Sequence, residues 1–298
     1  DTDIAQNLES RGYTTLYIVK PNVSFAAQQA IERWVRAGGT LVALPGAGTA
    51  DEFNATFDAT GQSTAILEPV LGLSTAARRA ATIRASGFTD PWSVYRTSVL
   101  VPRTATMTFT NREETDPNLG AGAMNIYGDV VTDLVPGTAA TGVARVLATM
   151  NVAATGATAN AITVNAYGAG RAVAYGFFAG FIYYSSANHQ VRRGLPTGWD
   201  ARARQLVVAP ILAATPNPVS VNVPLVEALR LDSRAGTAVV LLNWSGAPLS
   251  SVTVTVPGVR SEQSGSSIEQ RAVASARDAV GNRTFTLSLR TVDVLMIE

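Results

Sequence analysis

The stretch Gly38–Asn54, GGTLVALPGAGTADEFN, constrains this chain most, because it delivers a short apolar run into a glycine-rich, acidic loop. The segment before it, Ala26–Arg36, places Ala27, Ala30, Ile31, Trp34 and Val35 on one helical stripe, with Gln28, Gln29, Glu32, Arg33 and Arg36 opposite. Ser24 is in place to cap the start of this helix and Gly38 its end. Thr40–Leu44 then reads as a strand covered on both faces, and Thr14–Val19 upstream as its neighbour. A strand, helix and strand in this order make a right-handed parallel crossover. Ligands of open α/β sheets bind beyond the carboxyl ends of the strands, so Pro45–Asn54 is where a site is expected.

Elsewhere the text supplies further elements. Residues 1–13 read as a helix stopped at Gly12, so the domain is expected to lack its first strand–helix unit, with a leader or larger region removed upstream. Ala65–Leu73 is helical in pattern, and Val99–Pro102, Thr106–Thr110 and Ala144–Thr149 are short β-rich runs. ITVNAY, the turn Gly168–Gly170 and RAVAYGFFAGFIYY form a hairpin signal whose second strand is apolar on both faces. A helix is expected over Asp200–Ala213, followed by a proline-rich exit. Beyond it the period becomes two: VSVNVP, VEALRLDS, TAVVLLNWS, SSVTVTVPG, IEQRAVAS and TFTLSLRTVDVLMIE. The reading is a flavodoxin-like doubly wound α/β domain over 1–214 and an immunoglobulin-like antiparallel β-sandwich over 215–298.

The resemblance follows from these same runs. LYIVKPNVSFAAQQAIERWVRAGGTLVALPGAGTADEFN, GAGRAVAYGFFAGFIYY and VNVPLVEALRLDS with GTAVVLLNWSGAPLSSVTVTVPG resemble the class I glutamine amidotransferase-like domain of bacterial glycoside hydrolases. The nearest likeness is to the trimerisation domain of family 42 β-galactosidases, here followed by a β-sandwich. In that family the hydrolytic carboxylates sit on a separate (β/α)8 barrel, which needs about 250 residues of alternating strand and helix that this chain does not contain. The resemblance therefore implies a non-catalytic oligomerisation or accessory module. Its partners would be further copies of itself or an upstream catalytic domain, with carbohydrate as a possible ligand. Glutamine amidotransferases themselves use a cysteine, and this chain has none, which also removes disulfides and thiolate metal sites.

Candidate chemistry is sparse. In PGAGTADEFN, Asp51 stands where a dinucleotide fingerprint wants its third glycine, and with Glu52 it would repel phosphate. Asp51, Glu52 and Asn54 are candidates for acid–base work, or for binding a cation or sugar hydroxyls. The alternative is a capping role, with Thr49 or Asp51 starting a helix and acids in its first turn. His189 is the single histidine, close to Ser185 and Ser186, so any Ser–His hydrolase must use it, yet no G-x-S-x-G elbow occurs. The alternative there is a solvated loop histidine. Trp92, Tyr95, Trp199, Tyr183 and Tyr184 would serve either as a sugar platform or as core. No cofactor or transition metal is expected. A net charge of +1 without charge blocks argues against nucleic acid and membrane surfaces as partners.

Overall fold

The computed structural model describes residues 1–55, 66–74, 82–84, 103–109, 123–127, 130–138, 142–152, 155–186, 199–212, 217–223, 225–259 and 264–298. The chain divides into two compact units: Asp1–Ser186 with Asp200–Thr215, and Ala187–Trp199 with Pro216–Glu298. The β run expected at Val99–Pro102 lies outside the described residues.

The first unit opens with α1 (Thr2–Asn7), β1 (Thr15–Ile18), α2 (Phe25–Arg36) and β2 (Thr40–Ala43). β1 and β2 pair in parallel from Thr15↔Thr40 to Ile18↔Ala43, so the strand–helix–strand reading holds. Ser24 caps α2, its side chain accepting from the Ala27 N–H at 3.4 Å. At the other end Ala37 takes the C-cap, and Gly38 follows at φ +126, which L side chains rarely adopt. Two elements of the middle region, β4 (Arg103–Phe109) and β5 (Met124–Tyr127), precede β7 (Arg145–Val152), β8 (Thr158–Tyr167) and β9 (Gly170–Tyr175). A separate pair, β3 (Thr82–Arg84) with β6 (Val130–Thr132), is antiparallel. α3 (Leu67–Leu71) ends on Gly72 in the left-handed region.

The main sheet is mixed, in the order β1-β2-β9-β8-β7-β4-β5. β1, β2 and β9 run parallel, and from β9 onward each pairing is antiparallel. Parallel pairing is thus confined to three strands, and the rest is a meander-like extension, so the sheet is mixed where the sequence predicts a doubly wound parallel one. Side chains of β2 and β9 alternate between two cores. Leu41, Ala43, Ala172 and Ala174 face the apolar stripe of α2, while Val42, Val173 and Tyr175 face the other layer.

That other layer holds α4 (Ala179–Ser186) and α5 (Ala201–Leu212). The run RAVAYGFFAGFIYY does not continue as one strand: β9 ends at Tyr175 and α4 begins four residues later. Gly176 lies at the break, where a Cβ would come 2.3 Å from the Thr132 carbonyl oxygen, so only glycine fits. The hairpin itself is as expected, with Tyr167 opposite Gly170. At Gly170 a Cβ would meet the Val35 and Gly39 carbonyl oxygens, because β9 enters directly beneath the end of α2.

Asp200 caps α5 by accepting from the Arg202 N–H at 2.7 Å. Pro210 inside α5 has no N–H, which leaves the Leu206 carbonyl without its i+4 donor. The Tyr175 hydroxyl supplies one instead, at 2.8 Å, and Tyr17 donates to the Val207 carbonyl at 2.5 Å. Arg171 Nη2 donates to the Pro210 carbonyl at 3.0 Å. Three polar side chains of β1 and β9 thereby fasten a proline-interrupted helix to the sheet.

The second unit is a sandwich of two four-stranded antiparallel sheets. Its strands are β10 (Ser220–Val221), β11 (Val226–Ser233), β12 (Gly236–Asn243), β13 (Leu249–Val256), β14 (Gly265–Ser267), β15 (Ala274–Arg277), β16 (Arg283–Leu289) and β17 (Val292–Ile297). The sheets have the orders β10-β13-β16-β15 and β11-β12-β17-β14. This differs from the immunoglobulin arrangement, in which the first, second, fourth and fifth strands share one sheet. Val239, Leu241, Val252, Val254, Phe285, Leu287 and Leu295 fill the interior.

Candidate functional site

The loop after β2 is knitted to the segment after β1. Leu44 N–H donates to the Ile18 carbonyl, Gly48 N–H to Lys20, Ala50 N–H to Pro21, and Val23 N–H to Ala50. Parallel pairing therefore continues irregularly past the ends of both strands, with a further bridge at Asn22↔Ala50. Gly46 and Gly48 turn the chain at φ +71 and +65, and the Thr49 hydroxyl donates to the Gly46 carbonyl at 2.7 Å. Gln28, on the polar stripe by spacing, is fully buried beneath this loop and donates to the Val23 and Ala50 carbonyls at 2.8 and 3.2 Å.

Each acid of the loop has a definite position. Asp51 is buried, and its Oδ1 accepts from the Phe53 and Ala55 N–H groups at 2.9 and 2.8 Å, closing its own turn. Asn54 completes that turn with its N–H on the Asp51 carbonyl at 3.1 Å and sits in the left-handed region at φ +61, where Asn is tolerated. Its Oδ1 accepts from Asn22 Nδ2 at 3.3 Å. Glu52 points away from this turn, and its Oε2 accepts from the Phe25 N–H, the first amide of α2, at 2.8 Å. Asp1 Oδ2 accepts from the neighbouring Ser24 N–H at 3.1 Å. Two carboxylates thus satisfy orphan donors at the positive end of α2's dipole. Capping does operate here, but on a helix 27 residues upstream in sequence rather than on one starting at Asp51.

The other candidates divide differently. Trp92, Tyr95 and His189 lie outside the described residues. Trp199 is half-buried; Tyr183 packs against the core on the α4 side, and Tyr184 is exposed and stacks on Phe181 with ring centroids 6.0 Å apart. Among the described residues, no group of three His, Cys, Asp or Glu side chains is placed to hold a metal ion. No described helix is long and apolar enough to cross a membrane.

Two further features have no strong sequence signal. A groove of about 630 Å³ opens at the amino ends of β1, β2 and β9, opposite the expected loop, lined by Glu9, Tyr13, Trp34, Gly39 and Arg171 among others. Trp34 is mostly buried there, its indole N–H donating to the Tyr13 carbonyl at 3.1 Å. Beside it, Glu32 Oε1 accepts from the Tyr167 hydroxyl at 2.6 Å and from Arg36 Nε at 3.0 Å, with the Arg36 guanidinium 4.9 Å over the Tyr167 ring. Partial burial pushes the Glu32 carboxyl up, but the hydrogen bonds from Tyr167 and Arg36 outweigh it and hold it below its ordinary value. Only the one-turn spacing of Glu32 and Arg36 is legible beforehand; Tyr167 joins from 135 residues away.

No family model and no curated protein matches this chain. Solved structures do. The β-galactosidase of Bacillus circulans sp. alkalophilus aligns at a TM-score of 0.56 and 15% identity, over 99% of this chain and 34% of that one. The α-L-fucosidase isoenzyme 2 of Paenibacillus thiaminolyticus aligns at 0.55 and 13%, over 99% and 42%. A β-galactosidase of Rahnella sp. R3 aligns at 0.54 and 17%, over 96% and 34%. The chain thus spans about a third of the length of the β-galactosidases it matches, and what it shares with these glycoside hydrolases is the fold.

Proposed function

We propose that this chain is a non-catalytic module, for oligomerisation or for supporting a neighbouring catalytic domain, of a bacterial protein related to glycoside hydrolases. The observation that carries the reading is the extent of the likeness: essentially the whole chain corresponds to about a third of a β-galactosidase. A second strand of support is local. The described acids of the expected site are engaged by backbone amides, Asp51 in its own turn and Glu52 on α2, instead of converging on open space. In this reading the chain would play the part of a family 42 trimerisation domain, with further copies of the chain or an upstream catalytic domain as partners.

The test is a hydrolysis screen of the purified chain on chromogenic glycosides and short-chain esters, beside Asp51→Ala, Glu52→Ala and His189→Ala. The module reading expects no turnover from folded protein. Turnover abolished by one of these substitutions would overturn it and identify a working residue.

A further inference from the structure

The groove at the amino ends of β1, β2 and β9 joins a fixed aromatic wall to polar groups that the fold leaves unused. Trp34 is the wall. A Cβ on Gly39 would sit 2.4 Å from the indole ring, so the ring lies directly against the start of β2, and its N–H holds the Tyr13 carbonyl in place. The Tyr13 side chain is 53% exposed, and its hydroxyl has no partner among the described residues. Past the last turn of α2, the carbonyls of Ala37 and Gly38 accept no hydrogen bond among the described residues. Glu9 Oε1 accepts from Arg33 Nε at 3.4 Å with both side chains more than half exposed, a contact that a ligand displaces at little cost. Arg171 has one nitrogen on the Pro210 carbonyl, and among the described residues no acceptor meets the other two.

We propose that this groove binds a neutral carbohydrate, with one pyranose ring stacked on Tyr13. Charge selects against ions. An anion would meet the Glu9 carboxylate and the negative end of the α2 dipole, while a cation would meet Arg33 and Arg171. A neutral sugar escapes both penalties, and each of its hydroxyls donates and accepts at once. Acceptors for it stand at Glu9, Ala37 and Gly38, and donors at Tyr13 and Arg171. A pyranose also presents an apolar C–H face, which packs on an exposed aromatic ring. Gly38 leaves open space where a Cβ would project, so a ligand can reach the main chain there. The volume of about 630 Å³ lies inside the ~300–1,000 Å³ of small-molecule sites. Because Trp34 and the backbone are already fixed, little ordering opposes binding. This site lies at the opposite strand ends from the Asp51 loop, and it goes beyond the module reading by naming a ligand, whether or not the chain catalyses anything.

The experiment is a saturation-transfer NMR titration of the whole chain with glucose, galactose, mannose and xylose, each free and as its methyl glycoside, beside glucuronate and glucosamine as charged controls. An open groove with one stacking ring and a few solvent-exposed hydrogen bonds should bind at least one neutral sugar with a dissociation constant on the order of 1 mM. Among variants with wild-type circular dichroism, Tyr13→Ala should raise that constant about tenfold or more, Glu9→Gln about fivefold, and Tyr13→Phe, which keeps the ring, less than about threefold. Phe53→Ala, at a residue exposed beyond the other ends of the strands, should leave it unchanged. Equal binding of the free sugar and its methyl glycoside marks a chain end as the source, and loss of binding on methylation marks a free monosaccharide; either upholds the site. No neutral sugar bound at about 50 mM, tighter binding of a charged control, or an affinity that Tyr13→Ala leaves within about twofold overturns the proposal. Turnover of chromogenic glycosides would overturn the module reading alone, since a free monosaccharide has no glycosidic bond to cleave.

Discussion

Replacing Asp51 separates a structural carboxylate from a working one. In the folded protein its Oδ1 accepts two backbone amides, from Phe53 and Ala55, and the residue is 7% exposed. Hydrogen bonds to a charged acceptor contribute about 1.5–3 kcal/mol each, and two sharing one oxygen do not add fully. Asp51→Ala leaves both amides without that acceptor in a loop that packs over Gln28, so we predict a loss of about 2–3 kcal/mol. For a unit of this size that lowers the melting temperature by roughly 5–10 °C. Asp51→Asn keeps an oxygen in the same place and loses the charge, so it should cost about 1 kcal/mol. Calorimetry on the three proteins gives the order wild type, Asn, Ala. An Ala variant melting within about 1 °C of wild type, or an Asn variant as unstable as Ala, would refute the turn-closing role. An acid–base role makes the opposite prediction, with Asn as inactive as Ala and barely destabilised.

Two more predictions concern the fastening of α5. Tyr175→Phe leaves the Leu206 carbonyl unpaired and should cost about 1–3 kcal/mol, while in a Pro210→Ala background the restored N–H can reach that carbonyl and the cost should fall below about 1 kcal/mol; denaturant titration of the four proteins measures this coupling, and equal costs in both backgrounds would break the argument. Burial pushes the Tyr17 hydroxyl up to about 12 from an ordinary value of 10.0. Since the folded state holds that proton more tightly, the contribution is complete below pH 10 and is lost as pH rises through about 12. Tyr17→Phe should therefore flatten the alkaline limb of a stability-against-pH curve read by circular dichroism, and an unchanged limb would contradict it.

Much of the fold can be read locally. The stripe Ala27, Ala30, Ile31, Trp34 and Val35 is buried on α2 as its spacing requires, and the hairpin after Tyr167 forms where its glycines stand. Local reading fails where a run is continuous in period and broken in space. TFTLSLRTVDVLMIE alternates throughout, yet it turns at Arg290 and Thr291 so that β16 and β17 enter different sheets. After Arg171, RAVAYGFFAGFIYY carries no charge to mark a boundary, yet the carbonyl of Thr132 beside Gly176 marks where the strand ends.

Side-chain period and turn residues depend on neighbours a few positions away, and from them the sequence by itself determined the parallel crossover, the two-residue alternation beyond residue 218 and the absence of cysteine chemistry. Partners distant in the chain depend on how the elements come together. Only the tertiary structure decided that Glu52 caps α2, that Tyr175 answers the carbonyl freed by Pro210, and that Glu9, Tyr13 and Arg171 border one groove. A hydrogen bond or a shared groove exists only once chain entropy has been overcome by packing, and its members carry no mark of one another in the sequence.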